Sequence, residues 1–421
     1  MANASNRNGK HSKPKQQRVK KSNVVGGFFA KIKNWFLNLS KGKKTLVITL
    51  CSIILVLAIV LGVVIGILSN LLKDYNYNDL NDPDIEGIEQ IDDRILNIAL
   101  FGIDSRSQSF EGLSDSIMVL SVNTKTGDIK LISIMRDTLV KFPEHKGKTY
   151  KEGKLNSAYM KGGPALAIKT LNHNFGLDIK EYATVNFFGM SEIIDAVGGI
   201  EIDVLKREIK HLNQSVQEQA DILKIDGKQH YVTTAGKQTL TGIQAVAWAR
   251  IRYTSTADGT SNDYGRTDRQ RVVMEQLLNK ALSTDVSKYP SIIKAILPHM
   301  ETSLSFNEIL SLGTKVLGNK VQFQQTRVPQ KEYVISDSLV ISGGGMVVYY
   351  DLNYASKIIH AIIYDGISQE DYIAQNEVEK NSWYSAANQN NTTSNNNSSV
   401  NSSTTVNTSS DITSSENTPS D

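Results

Sequence analysis

Twenty-eight consecutive residues, Thr45 to Leu72, carry no charge and are dominated by Leu, Ile and Val. A helix needs about 20 apolar residues to cross the hydrocarbon core, so this run spans a bilayer with some tilt. It exceeds the about 7–15 residues of a signal-peptide core and lacks a small-x-small cleavage site, so it reads as a retained anchor. Residues 1–44 hold twelve Lys or Arg and no acidic residue, leaving 34 basic and 43 acidic residues for the rest. With Lys41, Lys43 and Lys44 on one flank and a single Lys73 among several Asp on the other, the N-terminus is expected in the cytoplasm. A buried core helix is the competing reading, and the basic head beside the apolar run argues against it. Everything from about Lys73 is then extracytoplasmic. The sole cysteine, Cys51, lies inside the apolar run, which denies the exported part disulfides, a thiol nucleophile and Cys-based metal sites.

The chemistry is concentrated in Trp248–Arg271 (WARIRYTSTADGTSNDYGRTDRQR), which holds Arg250, Arg252, Arg266, Arg269 and Arg271 beside Asp263, Asp268 and Gln270. Aromatic and branched content predicts a strand over Trp248–Tyr253, with Arg250 and Arg252 on one face. The polar segment Thr254–Asn262 predicts a loop, and Asp263 is placed to cap a helix opening near Tyr264. On that helix Arg266 and Gln270 share a face, with Val273, Met274, Leu277, Leu278 and Ala281 as an apolar anchor. Guanidinium groups beside a helix N-terminus suit phosphate oxygens, through fixed bidentate donors and free N–H groups. A solvated charged surface is the plainer alternative for the same residues.

Lys73–Asp93 reads as an acidic linker. Three strands follow, Arg94–Ile103, Ile117–Val122 and Asp128–Ile134, the last two a hairpin around Asn123–Gly127. Asp104 leaves the first strand, Asp115 enters the second and Arg136 leaves the third, so the pairing can bring all three to one sheet edge. Pro164, after Gly162-Gly163, is expected to open a helix that Gly176 stops near Phe175. Its Leu166, Ile168, Leu171 and Phe175 point to core packing by default, lining of a lipid pocket being the minority reading. A strand at Tyr182–Phe187, a helix at Gly189–Val197 and a strand at Ile200–Val204 follow. Lys206–Gln229 reads as a polar excursion, and Ala235–Ala247 as a helical turn. From Ser283 to about Glu377, helical patterns and one strand-like piece, Gly345–Tyr350, complete the same domain, taken as residues 94–377. Residues 378–421 form a Ser/Thr/Asn-rich tail; its stretch Asn388–Asp421 has no aromatic residue and is expected to be disordered. Alternating strands and helices argue for an α/β fold, and the hairpin makes the sheet mixed. The seven histidines show no zinc-like spacing.

The ordered set GIDSR, SDS, SIMRD, KLNSAY, DAVGG, AVAWARIR and DYGRTDRQR resembles the LytR–CpsA–Psr family of cell-wall enzymes over about residues 94–283, with the anchor in front. The resemblance implies an α/β/α sandwich with a mixed central sheet and an apolar pocket for a lipid tail. It implies transfer of a glycopolymer, a teichoic acid or capsule-type polysaccharide, from a polyprenyl-pyrophosphate carrier to peptidoglycan, with Mg²⁺ (or Mn²⁺) at the pyrophosphate. Matched position by position, Asp104 and Asp115 correspond to the metal-associated carboxylates, and Arg136, Arg250, Arg252 and Arg266 to the pyrophosphate-binding arginines. Lys154, Asp263 and Gln270 correspond to polar residues of the same cleft. Two carboxylates suit a hard cation, and the arginines suit the anion. Asp104, Arg136, Arg252 and Arg266 are the expected catalytic groups, with Asp104, then Asp263, as candidate base. Members often carry Arg where this chain has Leu113; either Arg106, seven residues earlier, reaches the same anion or the site has one donor fewer, and Met135 stands where SIPRD has proline. A hydrolase acting through the same residues and a non-catalytic wall-binding protein are the alternatives. A nucleic-acid partner is not expected, because the exported part is net acidic; membrane lipid is.

Overall fold

The computed structural model describes Leu37 and residues 75–376, apart from 106–108, 286–287, 318–320, 331–332 and 342–344. The expected cytoplasmic head, membrane span and Ser/Thr/Asn-rich tail lie outside the described residues, as does Arg106. No described helix is long and apolar enough to cross a membrane.

A six-stranded mixed sheet forms the centre. Strand β1 (Ile95–Ile103) pairs antiparallel with β2 (Ser114–Asn123), and β2 pairs antiparallel with β3 (Ile129–Ile134). The strands flanking that meander come from later in the chain. β6 (Glu181–Asn186) runs parallel to β1, β9 (Met300–Thr302) antiparallel to β6, and β10 (Phe323–Val328) parallel to β3, giving the order β10-β3-β2-β1-β6-β9. Two-residue strands β4 (Leu139–Val140) and β5 (Gly153–Lys154) pair beside the sheet, and β11 (Ser336–Val340) pairs with β12 (Met346–Tyr349). The expected β1–β2–β3 order is therefore present. Among the described residues, the stretch after Ser283 supplies four strands rather than one, two of them in the central sheet.

Each face of the sheet has a different use. Odd-numbered β1 residues Ala99, Phe101 and Ile103 join a core under two helices, α2 (Ser157–Phe175), which follows the short α1 (Pro83–Glu86), and α9 (Leu352–His360), which follows α7 (Tyr289–Ile296) and α8 (Phe306–Leu317). Leu166, Ile168, Leu171 and Phe175 of α2 all lie in that core, as packing predicts. Helix α2 begins at Ser157, earlier than Pro164 suggested. Gly162 and Gly163 leave helical geometry, Gly163 with φ +63°, so Pro164 restarts the helix after a kink. Gly176 ends it in the left-handed conformation, as expected (φ +65°).

The opposite side carries a second core, built by α3 (Phe187–Ala196), α4 (Ile209–Leu223), α5 (Gly242–Ala249), α6 (Asn262–Ser283) and the β7–β8 ladder (Ile200–Val204 with Gly236–Leu240). The expected excursion over Lys206–Gln229 is largely α4. Its Leu212, Val216 and Ala220 recur at helical spacing and are fully buried, which is the reason it orders. The expected strand at Trp248–Tyr253 is absent. Thr241 and Gln244 form a reciprocal capping box, and the helix it starts runs through Trp248 and Ala249 before ending at Arg250. Seven of its eight residues are buried, so tertiary packing overrides the β-propensity of the segment. Gly242 permits the close crossing of α3 and α5, since a Cβ there would sit 1.9 Å from the Ser191 carbonyl oxygen.

Candidate active site

Arg250 and Arg252 reach the site from the irregular segment after α5, rather than from one face of a strand. The antiparallel register puts the β1 exit, the β2 entrance and the β3 exit at one sheet edge, and Arg136 leaves β3 there. The backbone braces it: Asn156 N–H donates to the Arg136 carbonyl, and Ser114 N–H donates to the Asn156 carbonyl. From the facing side, the first turns of α6 bring Asp263 and Arg266. Ser261 occupies the N-cap position, and the Asp263 side chain accepts from arginines instead of capping the helix.

Three guanidiniums close on two carboxylates. Arg136 Nη1 donates to Asp115 Oδ1 at 2.6 Å, while its Nε and Nη2 fork onto the Asp263 oxygens at 3.1 and 3.3 Å. Arg266 donates to Asp263 Oδ2 at 3.0 Å and lies 3.5 Å from Asp115 Oδ2. Arg252 stands 3.8 Å from each carboxylate, its side chain 37% exposed. Arg250 stacks 4.7 Å over the Phe187 ring and lies 3.9 Å from Glu218. Lys154 pairs with Asp137 at 2.9 Å, and Asp137 also approaches Arg136 at 3.5 Å, so Lys154 reaches the cluster at second hand.

Burial opposes the charge on Arg136, but Asp115, Asp263 and Asp137 outweigh it and hold its pKa above the ordinary arginine value. Arg266, 3% exposed, is drawn down to about 10 by desolvation, with Arg136 and Arg252 adding repulsion against the pull of Asp263 and Asp115. Its Nε has no hydrogen-bond partner among the described residues. A buried cation crowded by two others gains most from an arriving anion.

Two cavities meet here. A polar one of about 340 Å³ is walled by Asp104, Asp115, Arg250, Arg252 and Arg266 on one side and by α4 on another. An apolar one of about 410 Å³ lies between the even-numbered face of the sheet and α3, α5 and α6. Leu100, Gly102, Met118 and Leu120 form its floor, and Met190, Ala249, Met274 and Leu277 form much of its roof. The α6 residues read as an anchor therefore line a cavity: Val273, Met274, Leu277, Leu278 and Ala281 all face it. Gly102 lies on that floor and lets β1 approach β2 closely, because a Cβ would stand 2.9 Å from the Ser116 Cβ. Phe187, Arg250 and Gln270 belong to both walls, so the cavities adjoin.

The residues that would hold a divalent cation are Asp104 and Asp115. The Asp104 carboxylate is exposed to the polar cavity and makes no ion pair or hydrogen bond to a described residue, while both Asp115 oxygens face guanidiniums. No cluster of three His, Cys, Asp or Glu suited to a metal occurs among the described residues. Two carboxylates fit Mg²⁺, which is commonly held by one or two carboxylates together with substrate phosphates. Charge balance agrees. Asp104, Asp115 and Glu218 offset Arg250, Arg252 and Arg266 on the cavity wall, so a dianion entering with a divalent cation leaves the site neutral.

Sequence reasoning missed the support beneath this cluster. Glu208 and Arg269 are fully buried and paired at 2.7 Å. Arg269 also donates to the Ile251 and Thr254 carbonyls, and Glu208 accepts from Trp248 Nε1. The helical period of Leu212, Val216 and Ala220 was the available signal that Glu208 opens an ordered element.

The chain is 34% identical over 221 residues to a polyisoprenyl-teichoic acid–peptidoglycan teichoic acid transferase TagU of Enterococcus faecalis, across 52% of this chain and 64% of that protein. It is 31% identical over 280 residues to Biofilm regulatory protein A of Streptococcus mutans, across 64% of this chain and 63% of that protein. The chain thus spans just under two thirds of the length of both relatives. A solved structure of TagT bound to LIIa-WTA shares the fold at 20% identity and a TM-score of 0.50, over 69% of this chain and all of that one. The LytR_cpsA_psr family model matches residues 69–356, most of the folded part, and the chain belongs to that family.

Proposed function

We propose that this protein transfers a glycopolymer from a polyprenyl-pyrophosphate carrier to peptidoglycan. The adjoining of the two cavities carries this reading. A molecule with an apolar tail, a diphosphate and a sugar has the polarity order of the apolar cavity, the arginine cluster and the open polar mouth. The relatives named as teichoic acid transferases are consistent with that substrate class.

In the transfer, a peptidoglycan hydroxyl oxygen attacks the phosphorus that bears the glycopolymer. The bridging P–O bond breaks, polyprenyl phosphate leaves with the bonding electrons, and the hydroxyl proton passes to a base. Arg136, Arg252 and Arg266 stabilise charge growing on the phosphoryl oxygens, and Arg250 with Gln270 marks the junction of tail and head group. Asp104, whose carboxylate makes no ion pair or hydrogen bond to a described residue, takes the proton; Asp263 is committed to Arg136 and Arg266 and serves as their anchor. Mg²⁺ or Mn²⁺ held by Asp104 and Asp115 would supply further neutralisation of the leaving phosphate. An α/β/α sandwich fits the two-sided helical covering of the sheet. With Thr45–Leu72 as a single anchor and a cytoplasmic N-terminus, the site would face the wall, beside its lipid substrate.

The test incubates the full-length chain with polyprenyl-pyrophosphate glycopolymer, with and without peptidoglycan and Mg²⁺. Covalent conjugate is expected, and Arg252→Ala should slow its formation about 10²-fold without unfolding the chain. Released lipid phosphate without conjugate would mean hydrolysis, and near-normal turnover of Arg252→Ala would remove the arginines from the mechanism.

A further inference from the structure

Helix α4 presents two faces. Leu212, Val216 and Ala220 enter the core, whereas His211, Gln214, Ser215 and Glu218 recur at helical spacing along the wall of the polar cavity. The His211, Gln214 and Ser215 side chains make no hydrogen bond to a described residue, and Glu218 only approaches Arg250 at 3.9 Å. Tyr253 lies on the wall of the same cavity, next to Arg252, and is 81% exposed. A ring so open has no packing role in the chain itself, and its flat face is available to a ligand.

We propose that the α4 stripe and Tyr253 form a sugar subsite for the donor, holding the first pyranose beyond the diphosphate. The inference rests on the function proposed above and follows from connectivity. The tail occupies the apolar cavity on the far side of Phe187, Arg250 and Gln270, and the diphosphate meets the arginines. The sugar is bonded to the diphosphate's other end, so it leaves through the remaining polar wall, which is α4 and Tyr253. The chemistry there suits a sugar. Amide, hydroxyl, imidazole and carboxylate groups supply donors and acceptors for ring hydroxyls, and the Tyr253 ring offers an apolar platform for the sugar's C–H face. These residues select which glycopolymer is accepted; the arginines hold what every such carrier has in common.

Binding of two probes to the full-length chain tests this. One is farnesyl diphosphate esterified with a single N-acetylhexosamine; the other is its methyl ester, of equal charge and without the sugar. The wild type should bind the sugar-bearing probe more tightly. Gln214→Ala combined with Tyr253→Ala should weaken that probe about tenfold, the effect of roughly one or two hydrogen bonds, and leave the methyl ester unchanged. Alanine at an exposed helical position favours the helix, and Gln214→Ala alone should give a part of the loss with the fold intact. Equal loss for both probes, or none for either, overturns the subsite. A loss confined to the KM for a peptidoglycan fragment assigns the stripe to the acceptor and also overturns it. A wild type that binds neither probe refutes the proposed function itself.

Discussion

Removing the charge of Glu208 tests how the arginine cluster is held. Glu208 and Arg269 are 1% and 0% exposed, and Arg269 Nε and Nη2 both donate to Glu208 Oε1, at 3.0 and 2.7 Å. The remaining donors of Arg269 reach the carbonyls of Ile251 at 3.2 Å and Thr254 at 2.8 Å, which bracket Arg252 and Tyr253. Glu208→Gln keeps the shape but leaves a buried guanidinium without its counter-charge. Breaking a buried pair from one side costs about 3–5 kcal/mol, a large share of the roughly 5–15 kcal/mol that separates folded from unfolded domains. Removing both charges, as Glu208→Gln with Arg269→Met, should recover part of that loss, because no lone charge then remains. The double variant still lacks the two donors to the 251–254 backbone. It should therefore fold better than Glu208→Gln yet bind lipid diphosphate more weakly than the wild type. Denaturant unfolding of the four members of the cycle gives the coupling, and titration with a short polyprenyl diphosphate gives the affinity. A Glu208→Gln chain within about 1 kcal/mol of wild type would refute the energetic argument. A double variant with wild-type affinity would refute the claim that this pair positions Arg252.

Two further outcomes follow from single features. Met274→Trp should fill much of the roof of the about 410 Å³ apolar cavity, so carriers with long tails bind more weakly while a short-chain diphosphate keeps its affinity; equal binding of both places the tail elsewhere. Burial, with Lys169 and Lys146 beside it, holds the His145 pKa below its ordinary 6.5. A histidine whose folded pKa is depressed takes its proton more readily in the unfolded chain, so stability falls as pH drops below about 6.5. His145→Gln should flatten the unfolding free energy between about pH 7 and 5, and an unchanged slope there would exclude His145 as its source.

Much of the frame was legible because its signals were local. The apolar run Arg94–Ile103 and the hairpin turn at Asn123–Gly127 specify β1 to β3, and their antiparallel order alone places Asp104, Asp115 and Arg136 at one edge. The flanking strands were not legible for the opposite reason. β9 is three residues long and β10 pairs with a strand almost two hundred positions away, so neither carries a strong local pattern. At Trp248–Tyr253 local content pointed to a strand, yet the chain is helical through Ala249 because the capping box starts it and the helices of the second core surround it. Arg252 still meets Arg266 at Asp115, and Arg250 joins them on the wall of the polar cavity, since it is the end of α5, held by Arg269, that delivers both.

The apolar stripe of α6 shows where periodicity stops being informative. Val273, Met274, Leu277, Leu278 and Ala281 have the spacing of a core-facing helix, and a core is what such spacing ordinarily means. Here the facing sheet surface is lined by Leu100, Met118 and Leu120, with Gly102 and Ser116 in place of larger residues, and the layers stay apart. An apolar stripe and an apolar sheet face look identical in sequence whether they touch or enclose a space. What separates the cases is the volume of the residues opposite, which only the register reveals. Gly102 against Ser116 is that pairing, and Leu100→Phe should close part of the floor from below, as Met274→Trp closes the roof from above. If both narrow the tolerated tail length together, the space between sheet and α6 is the tail's path.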